Sequence, residues 1–286
     1  MIGTPAATET QLLHQGGRPG TWGSLGLWND GSLDYAGACT ALAQAVGQAA
    51  RLQAGDRVLA VACGAGDELR LWSQDFGARS VLGIELNAQR VASATRLCAA
   101  WPGITVRQGS GTALATLGLP RLQDGSFDRV LCVDAAYHLR PRSAFLTQAW
   151  RLLRPGGTLA YTHLLLDHQR SAWKATLLAA SARVCGLAAD DLCDDSTQLK
   201  RLLQAGFEAP KLQRLDDAVL GGFTRFVQKQ STAYGLRAWL PAWHPAWRRV
   251  AITARLIPPC RSAGLGYALL SATRPGTAAF SAAATA

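Results

Sequence analysis

The chain has 286 residues, is 49% hydrophobic and carries a formal net charge of +10. This length suits one large α/β domain with a cap, or two small domains. The seven cysteines form no Cys-x-x-Cys pair, which argues against a zinc site and a disulfide framework and favours a reducing compartment. We therefore expect a cytoplasmic protein that binds no metal.

The positive charge is concentrated at the end of the chain. Residues 218–286 contain eight Lys and Arg residues and no Asp or Glu. Such asymmetry occurs on nucleic-acid-binding proteins, on proteins that touch anionic membranes and on ordinary solvated surfaces. We interpret it as a solvated basic face.

The first 51 residues precede the main sequence pattern. Residues 1–20 lack the apolar core of a secretory signal and are expected to form a flexible leader. Residues 21–51 are predicted to be a cap segment, in which glycine-rich and tryptophan-rich turns lead into a helix over 34–51. Asp34 is the predicted N-cap of this helix.

A strand, a glycine turn, a helix and a second strand are predicted over residues 56–87. Val58–Ala62 is a short buried strand, Cys63–Gly66 the turn, Asp67–Phe76 the helix and Ser80–Ile84 the next strand. Glu85 then follows Gly64 by 21 positions. This is the spacing at which an acidic residue meets a ribose diol in nucleotide-binding βαβ units.

Two details of the sequence restrict the class of ligand that this turn could bind. A dinucleotide fingerprint needs a third small residue where this chain has Leu69, and the chain has no Gly-Lys-Ser/Thr sequence for a triphosphate loop. A nucleoside ligand without phosphates is therefore favoured over a nicotinamide or flavin dinucleotide.

Strands and helices continue to alternate through a core at 52–166, which predicts a doubly wound, mostly parallel sheet. Later strands are expected at 104–108, 129–133 and 158–162, with a helix at 143–153 and a sharp turn at 154–157. The polar groups that follow successive strands should converge at the carboxyl edge of the sheet. These groups are Cys63–Gly66, Glu85, Ser110, Asp134 and His163.

A lid with a sixth strand is predicted for residues 167–264. It comprises helices at 167–184, 197–205, 221–240 and 246–260, and the strand at 207–215. Residues 265–273 form the last strand, and 274–286 a disordered tail.

The motifs together resemble those of the class I S-adenosylmethionine-dependent methyltransferases. The similar segments are Val58–Glu68, Val81–Asn87, Asp124–His138 and Leu152–Gly157. The resemblance is to the small-molecule branch, the methyltransferase type 11-like proteins of natural product biosynthesis. It implies a Rossmann-like sheet of about seven strands with an antiparallel last strand, plus a helical cap and lid.

The resemblance also implies which residues bind S-adenosyl-L-methionine. The methionine portion would lie against the turn, the ribose on Glu85, the adenine near Leu86 and Ser110, and the amino acid part along the loop after the fourth strand. The expected residues are Tyr35, Ala62, Cys63, Gly64, Ala65, Gly66, Glu85, Leu86, Ser110, Gly111, Val133 and Asp134.

The chain departs from the family pattern at two places. The first strand ends in Ala60-Val61-Ala62 where the family often has Asp-x-Gly, and Ser110 stands where Asp is common. Asp67 is a candidate replacement for the missing acid. The alternative is that Asp67 simply stabilises the helix dipole.

Methyl transfer needs an in-line acceptor and, for a hydroxyl or ammonium acceptor, a base. His138 is the leading candidate because an unshifted imidazole takes up protons near neutrality. Tyr137 and His163 are second choices.

The acceptor is expected to be a small, moderately apolar molecule. Its pocket would be lined by the aromatic residues of the lid, which are Phe223, Phe226, Tyr234, Trp239, Trp243 and Trp247. Peripheral membrane contact by this lid is an alternative. A nucleic-acid methyltransferase and a non-enzymatic or nicotinamide-binding Rossmann protein remain open, although no nucleic acid is expected. The sequence does not specify an oligomeric state.

Overall fold

The computed structural model describes residues 13–14, 20–29, 34–167, 176, 178, 180–181, 192–233 and 245–276. Its elements alternate as the sequence predicts through the first five strands. The helices are α1 (Tyr35–Ala49), α2 (Asp67–Gln74), α3 (Ala88–Leu97), α4 (Arg142–Leu152), α5 (Asp195–Gln204), α6 (Gly222–Ala233) and α7 (Pro245–Ser262). The strands are β1 (Arg57–Val61), β2 (Ser80–Glu85), β3 (Ile104–Gln108), β4 (Phe127–Cys132), β5 (Leu153–Leu166), β6 (Glu208–Arg214) and β7 (Leu265–Thr273).

The strands form one seven-stranded sheet in the order β3-β2-β1-β4-β5-β7-β6. β1 pairs in parallel with β2 and β4, which places Ala60 beside Gly83 on one side and Leu131 on the other. Val58–Val61 are fully buried, as a central parallel strand requires. The strand order reverses between β1 and β4, and ligands of open α/β sheets bind at such a switch point.

The last strand in sequence runs antiparallel to β5. The backbone N–H of Arg274 donates to the carbonyl of Gly157, and the N–H of Asp167 donates to the carbonyl of Gly264. The start of β5 therefore lies beside the end of β7, and the end of β5 lies beside the start of β7. The predicted Rossmann-like sheet with an antiparallel last strand is confirmed.

The chain divides into two compact units. One contains the described residues of Ala43–His163, Asp195–Gln213 and Leu269–Ala286. The other contains those of Met1–Leu42, Leu164–Asp194 and Arg214–Ala268. The division falls within α1, whose residues from Ala43 onward belong to the first of these units.

One sequence prediction is wrong in detail. Residues 154–157 are part of β5 and not a turn between elements, because Gly156 and Gly157 pair with Arg274. Arg274, the first residue of the predicted tail, takes part in this pairing. In the segment predicted as a leader, His14 is 8% exposed and packs edge-on against Tyr35 at 5.0 Å.

Other predictions lie outside the described residues. They include most of the helix at 167–184, the helix beyond Ala233 and the tail from 277. In the part of the chain that the structure describes, no helix combines the length and apolar composition needed to cross a membrane.

Candidate active site

The turn after β1 is held in a left-handed conformation. Ala62, Gly64 and Gly66 have φ values of 59°, 56° and 97°. The N–H of Cys63 donates to the carbonyl of Ile84 at 3.1 Å, which fastens the turn to the end of β2. Gly66 is the N-cap of α2 and provides no side-chain cap, so the first N–H groups of this helix point outward from its N-terminus.

The two glycines of the turn have different surroundings. A Cβ added to Gly64 would meet no atom within 4 Å, so open space lies over this residue. A Cβ on Gly66 would lie 2.9 Å from the Cβ of Ala94. Gly64 therefore leaves room for a ligand, whereas Gly66 allows α2 and α3 to pack closely.

Glu85 connects the turn to the start of α3. Its side chain is buried, with 6% exposure, and its Oε2 accepts from the N–H of Gly64 at 3.1 Å. Its Oε1 accepts from the N–H of Asn87 at 2.9 Å. Asn87 in turn caps α3 by accepting from the N–H groups of Gln89 and Arg90. These bonds fix the carboxylate at the carboxyl edge of the sheet.

The loop after β3 lies next to the end of β2. The N–H of Gly109 donates to the carbonyl of Glu85 at 2.9 Å. The side chain of Leu86 is 68% exposed beside this junction. Ser110 Oγ hydrogen bonds with Thr112 Oγ1 at 2.9 Å, so it organises its own loop. A Cβ on Gly111 would lie 2.3 Å from Val61, which places this loop against the end of β1.

The loop after β4 contains a strained acidic residue. Asp134 has a φ of 50° and is 8% exposed, and its N–H donates to Thr162 Oγ1 at 2.7 Å. Tyr137 donates its hydroxyl to Asp134 Oδ1 at 2.9 Å. Val133 beside it is 5% exposed. Left-handed backbone at a non-glycine residue is costly and often marks a functional loop.

His138 ends the short 3₁₀ turn that follows. The residue lies in an exposed turn, yet desolvation of its ring, together with Arg140 and Arg90, lowers its pKa to about 4. Its ring lies 4.6 Å from that of Tyr137. The imidazole is therefore neutral at pH 7, but it is a weaker base than the unshifted imidazole that the sequence analysis assumed.

His163 does not end its strand, contrary to the sequence prediction. β5 continues to Leu166, because the N–H of Asp167 pairs with Gly264, and His163 is 0% exposed. Arg142 Nη2 lies 3.0 Å from its Nδ1. A guanidinium only donates, so this contact requires a neutral imidazole. Burial, with Arg142 and Arg201 nearby, holds the pKa of His163 well below its usual value.

Tyr35 belongs to the other compact unit. Its hydroxyl donates to the carbonyl of Ser24 at 2.6 Å, and its ring stacks on Phe226 with centroids 5.8 Å apart. These contacts account for its 2% exposure as packing within that unit.

The aromatic residues assigned to the acceptor pocket are described only in part. Phe223 is 4% exposed, and Phe226 stacks on Trp28 with centroids 4.7 Å apart. Both pack within their unit. Tyr234, Trp239 and Trp243 lie outside the described residues, as does the side chain of Trp247.

The sequence analysis did not include one buried acid, Glu68, among the site residues. Glu68, the second residue of α2, is 7% exposed. The sequence signal was its place in the first helical turn after the glycines. Among the described residues, no group of three or more His, Cys, Asp or Glu side chains is arranged to hold a metal ion.

The segment that matches a known protein family contains most of these site residues. A family model described as a methyltransferase domain matches residues 58–157, from β1 into β5. Erythromycin 3''-O-methyltransferase of Saccharopolyspora erythraea is 26% identical over 215 residues, which are 72% of this chain and 68% of that protein. The matched domain and the relatives support a class I S-adenosylmethionine-dependent methyltransferase.

Other relatives match this methyltransferase over shorter segments. The 2-methyl-6-phytyl-1,4-hydroquinone methyltransferase of Synechocystis sp. is 37% identical over 108 residues, which are 38% of this chain and 32% of that protein. The chain thus spans about a third of this relative's length, and substrates do not follow from such a match.

Solved structures agree on the fold. A putative sarcosine dimethylglycine methyltransferase from Galdieria sulphuraria has a TM-score of 0.72 and 16% identity, covering 88% of this methyltransferase and 93% of that chain. The [4+2]-cyclase SpnF has a TM-score of 0.67 and 22% identity, and the match covers 93% of this chain and 92% of that chain. A fold shared with a cyclase does not by itself determine the reaction.

Proposed function

We propose that this chain transfers a methyl group from S-adenosylmethionine to a small, moderately apolar acceptor. The observation that carries the proposal is the buried carboxylate of Glu85, fixed at the carboxyl edge of the sheet between the N–H groups of Gly64 and Asn87. This edge lies within the matched methyltransferase domain.

The chain's own residues fit the nucleoside. Each carboxylate oxygen of Glu85 accepts one backbone hydrogen bond and keeps a further acceptor position, so together they can receive the two ribose hydroxyls. The open space over Gly64 admits the ligand next to the turn. The exposed Leu86 offers an apolar contact for the adenine, and the loop of Ser110 and Gly111 follows it along the edge.

The sulfonium of S-adenosylmethionine supplies an activated methyl group when it is bound. The protein then has to align the acceptor, exclude water and remove a proton where the acceptor is a hydroxyl or an ammonium. Alignment alone can contribute on the order of 7–11 kcal/mol. Val133 and Asp134 shape one wall of the site, and Tyr137 is held there by its hydrogen bond to Asp134.

His138 is our proposed base. Its imidazole is neutral at pH 7, and it lies in the loop after β4 at the carboxyl edge of the sheet. His163 is a weaker candidate because it is fully buried and its ring already contacts Arg142. We assign His163 to the support of this loop.

The acceptor class is inferred from the relatives. They are named for erythromycin, for 2-methyl-6-phytyl-1,4-hydroquinone and for phthiotriol and phenolphthiotriol dimycocerosates. An acceptor with apolar character is common to these names. A cytoplasmic location is likewise proposed, on the cysteine pattern of the sequence alone.

A transfer assay tests this proposal. Purified protein is incubated with S-adenosylmethionine that carries a deuterated methyl group, and with a prenylated hydroquinone, a macrolide, a free amino acid or an oligonucleotide. We expect label on the hydroquinone or the macrolide, detected by mass spectrometry. Glu85→Ala should abolish the transfer, and Glu208→Ala, which removes an exposed acid at the start of β6, should not. Label on the amino acid or the oligonucleotide alone would contradict the proposed acceptor class.

A further inference from the structure

Strand β1 provides no carboxylate to the site. Its end reads Ala60-Val61-Ala62, and Ala60 is 0% exposed between Gly83 and Leu131. The motif that this segment resembles often has an acid at the position of Ala60. The methionyl end of S-adenosylmethionine carries an ammonium group, so a negative partner has to come from elsewhere in the chain.

Glu68 is a buried acid on the neighbouring element. It lies in the first turn of α2, two residues after Gly66, and is 7% exposed. Its Oε1 is buried and has no hydrogen-bond partner among the described residues. An isolated buried carboxylate is strongly unfavourable, so such a group either stays protonated or pairs with a cation.

The electrostatic surroundings locate this carboxyl group. Burial raises the pKa of Glu68 well above its usual value, and so do the charges of Asp67, Glu85 and Asp134. Glu68 in turn raises the pKa of Cys63 and of Cys132. These residues follow or end β1, β2 and β4, so the carboxyl group lies at the switch point of the sheet.

A purely structural role explains Glu68 less well. An acid in the first helical turn commonly stabilises the helix dipole, and that interaction favours the charged form. The pKa of Glu68 moves in the opposite direction, and the charged groups that act on it are all acidic. The carboxyl group of Glu68 therefore lies among acids, and no cation among the described residues contributes to its pKa shift.

We infer that Glu68 binds the α-ammonium group of S-adenosylmethionine and thereby replaces the carboxylate that β1 lacks. This inference rests on the proposed function. The ammonium donates to the unpartnered Oε1, while Glu85 holds the ribose at the other end of the turn. Recognition of the amino acid part is thus assigned to α2 and not to β1.

Two ligands separate the ends of the cofactor. S-adenosylhomocysteine contains the amino acid part, and 5′-methylthioadenosine lacks it. Calorimetric titration of Glu68→Gln should show S-adenosylhomocysteine weakened about 10- to 100-fold, as expected for one hydrogen bond to a charged group, and 5′-methylthioadenosine changed by less than about 2-fold. Glu85→Gln should weaken both ligands.

Two further variants keep the test decisive. Glu68→Met preserves the length of the side chain and its helix propensity, and should reproduce the selective loss if Glu68→Gln fails to fold. Asp67→Asn tests the other acid of the same helical turn, and it should weaken S-adenosylhomocysteine less than Glu68→Gln does. The inference would be overturned if Glu68→Gln and Glu68→Met weaken S-adenosylhomocysteine and 5′-methylthioadenosine by the same factor. It would also be overturned if they weaken neither ligand. Failure of folded wild-type protein to bind either ligand would instead overturn the proposed function.

Discussion

Glu85 Oε2 accepts a hydrogen bond from the backbone N–H of Gly64 at 3.1 Å, which joins the end of β2 to the turn after β1. The two residues are 21 positions apart in sequence. A carboxylate that is already oriented by the backbone loses little further freedom when it binds a diol. This bond is therefore the structural basis for assigning the ribose to Glu85.

The two glycines of the turn should respond differently to substitution by alanine. Both have positive φ, which costs an alanine roughly 1–2 kcal/mol. Gly66→Ala also drives its Cβ against Ala94, and overpacking adds about 1–3 kcal/mol. Urea denaturation should therefore show Gly66→Ala to be the less stable variant.

Binding of S-adenosylmethionine should be weakened more by Gly64→Ala than by Gly66→Ala. The Cβ of Gly64→Ala enters the open space over the turn, so the fraction of this variant that is folded should bind S-adenosylmethionine weakly. Equal stability of the two variants, or undiminished binding by Gly64→Ala, would contradict the roles given to these residues.

The two histidines should separate catalysis from stability. His138→Ala changes an exposed turn residue, so the free energy of unfolding should move by less than about 0.5 kcal/mol, while turnover falls about 10²- to 10⁴-fold for a hydroxyl or amine acceptor. His163→Ala removes a fully buried ring and should lower the free energy of unfolding by on the order of 3 kcal/mol.

The pH profile provides a second check on His138. The neutral imidazole is the active form, and its pKa is about 4. Turnover of the wild type should therefore fall only as the pH approaches 4, and not near the usual imidazole pKa of about 6.5. A limb near 6.5 that disappears in His138→Ala would show that the ring is less desolvated than its surroundings indicate.

Glu68 should make stability depend on pH in an unusual direction for an acid. Its pKa is raised in the folded protein, so between its ordinary and its folded pKa the native state binds more protons than the unfolded state. The free energy of unfolding should therefore decrease as the pH rises through this window. The difference between wild type and Glu68→Gln, measured by urea denaturation across pH, isolates this contribution. A difference that does not vary with pH would contradict the raised pKa.

Arg274 should stabilise the end of α4. Its Nη1 donates to the carbonyls of Trp150, Arg151 and Leu153, and its guanidinium lies 4.0 Å from the centroid of the Trp150 ring. Arg274→Ala removes these charge-assisted bonds and should cost about 2 kcal/mol of unfolding free energy. Arg274→Lys keeps the charge without the planar fork and should recover only part of it. Wild-type stability of Arg274→Ala in urea denaturation would contradict this role.

The local patterns of the core predicted its elements well. Ile104–Gln108 has the predicted bounds, and Asp34 caps α1 by accepting from the N–H of Gly37 at 2.6 Å. Buried β-branched runs and glycine turns are local signals, and the alternation of strands with helices indicates a parallel sheet. The convergence of Cys63–Gly66 with Glu85 followed because parallel strands end at the same edge.

What the sequence did not reveal depends on contacts between distant segments. β5 extends beyond Thr162 because β7 pairs along its whole length. The residues around His163 contain no local sequence signal that predicts this pairing. Glu68 was overlooked because an acid in a first helical turn usually faces solvent. Its burial is set by how α2 packs on the sheet, which no local pattern of charges specifies.

Calorimetric titration of the folded protein with S-adenosylmethionine tests the central claim most directly. We predict a dissociation constant of about 10⁻⁶ M or somewhat weaker for the wild type, in the range in which enzymes bind their substrates. Binding should be lost in Glu85→Ala and retained in Glu208→Ala. No binding by folded wild type, or undiminished binding by Glu85→Ala, would contradict the assignment of this edge of the sheet to the cofactor.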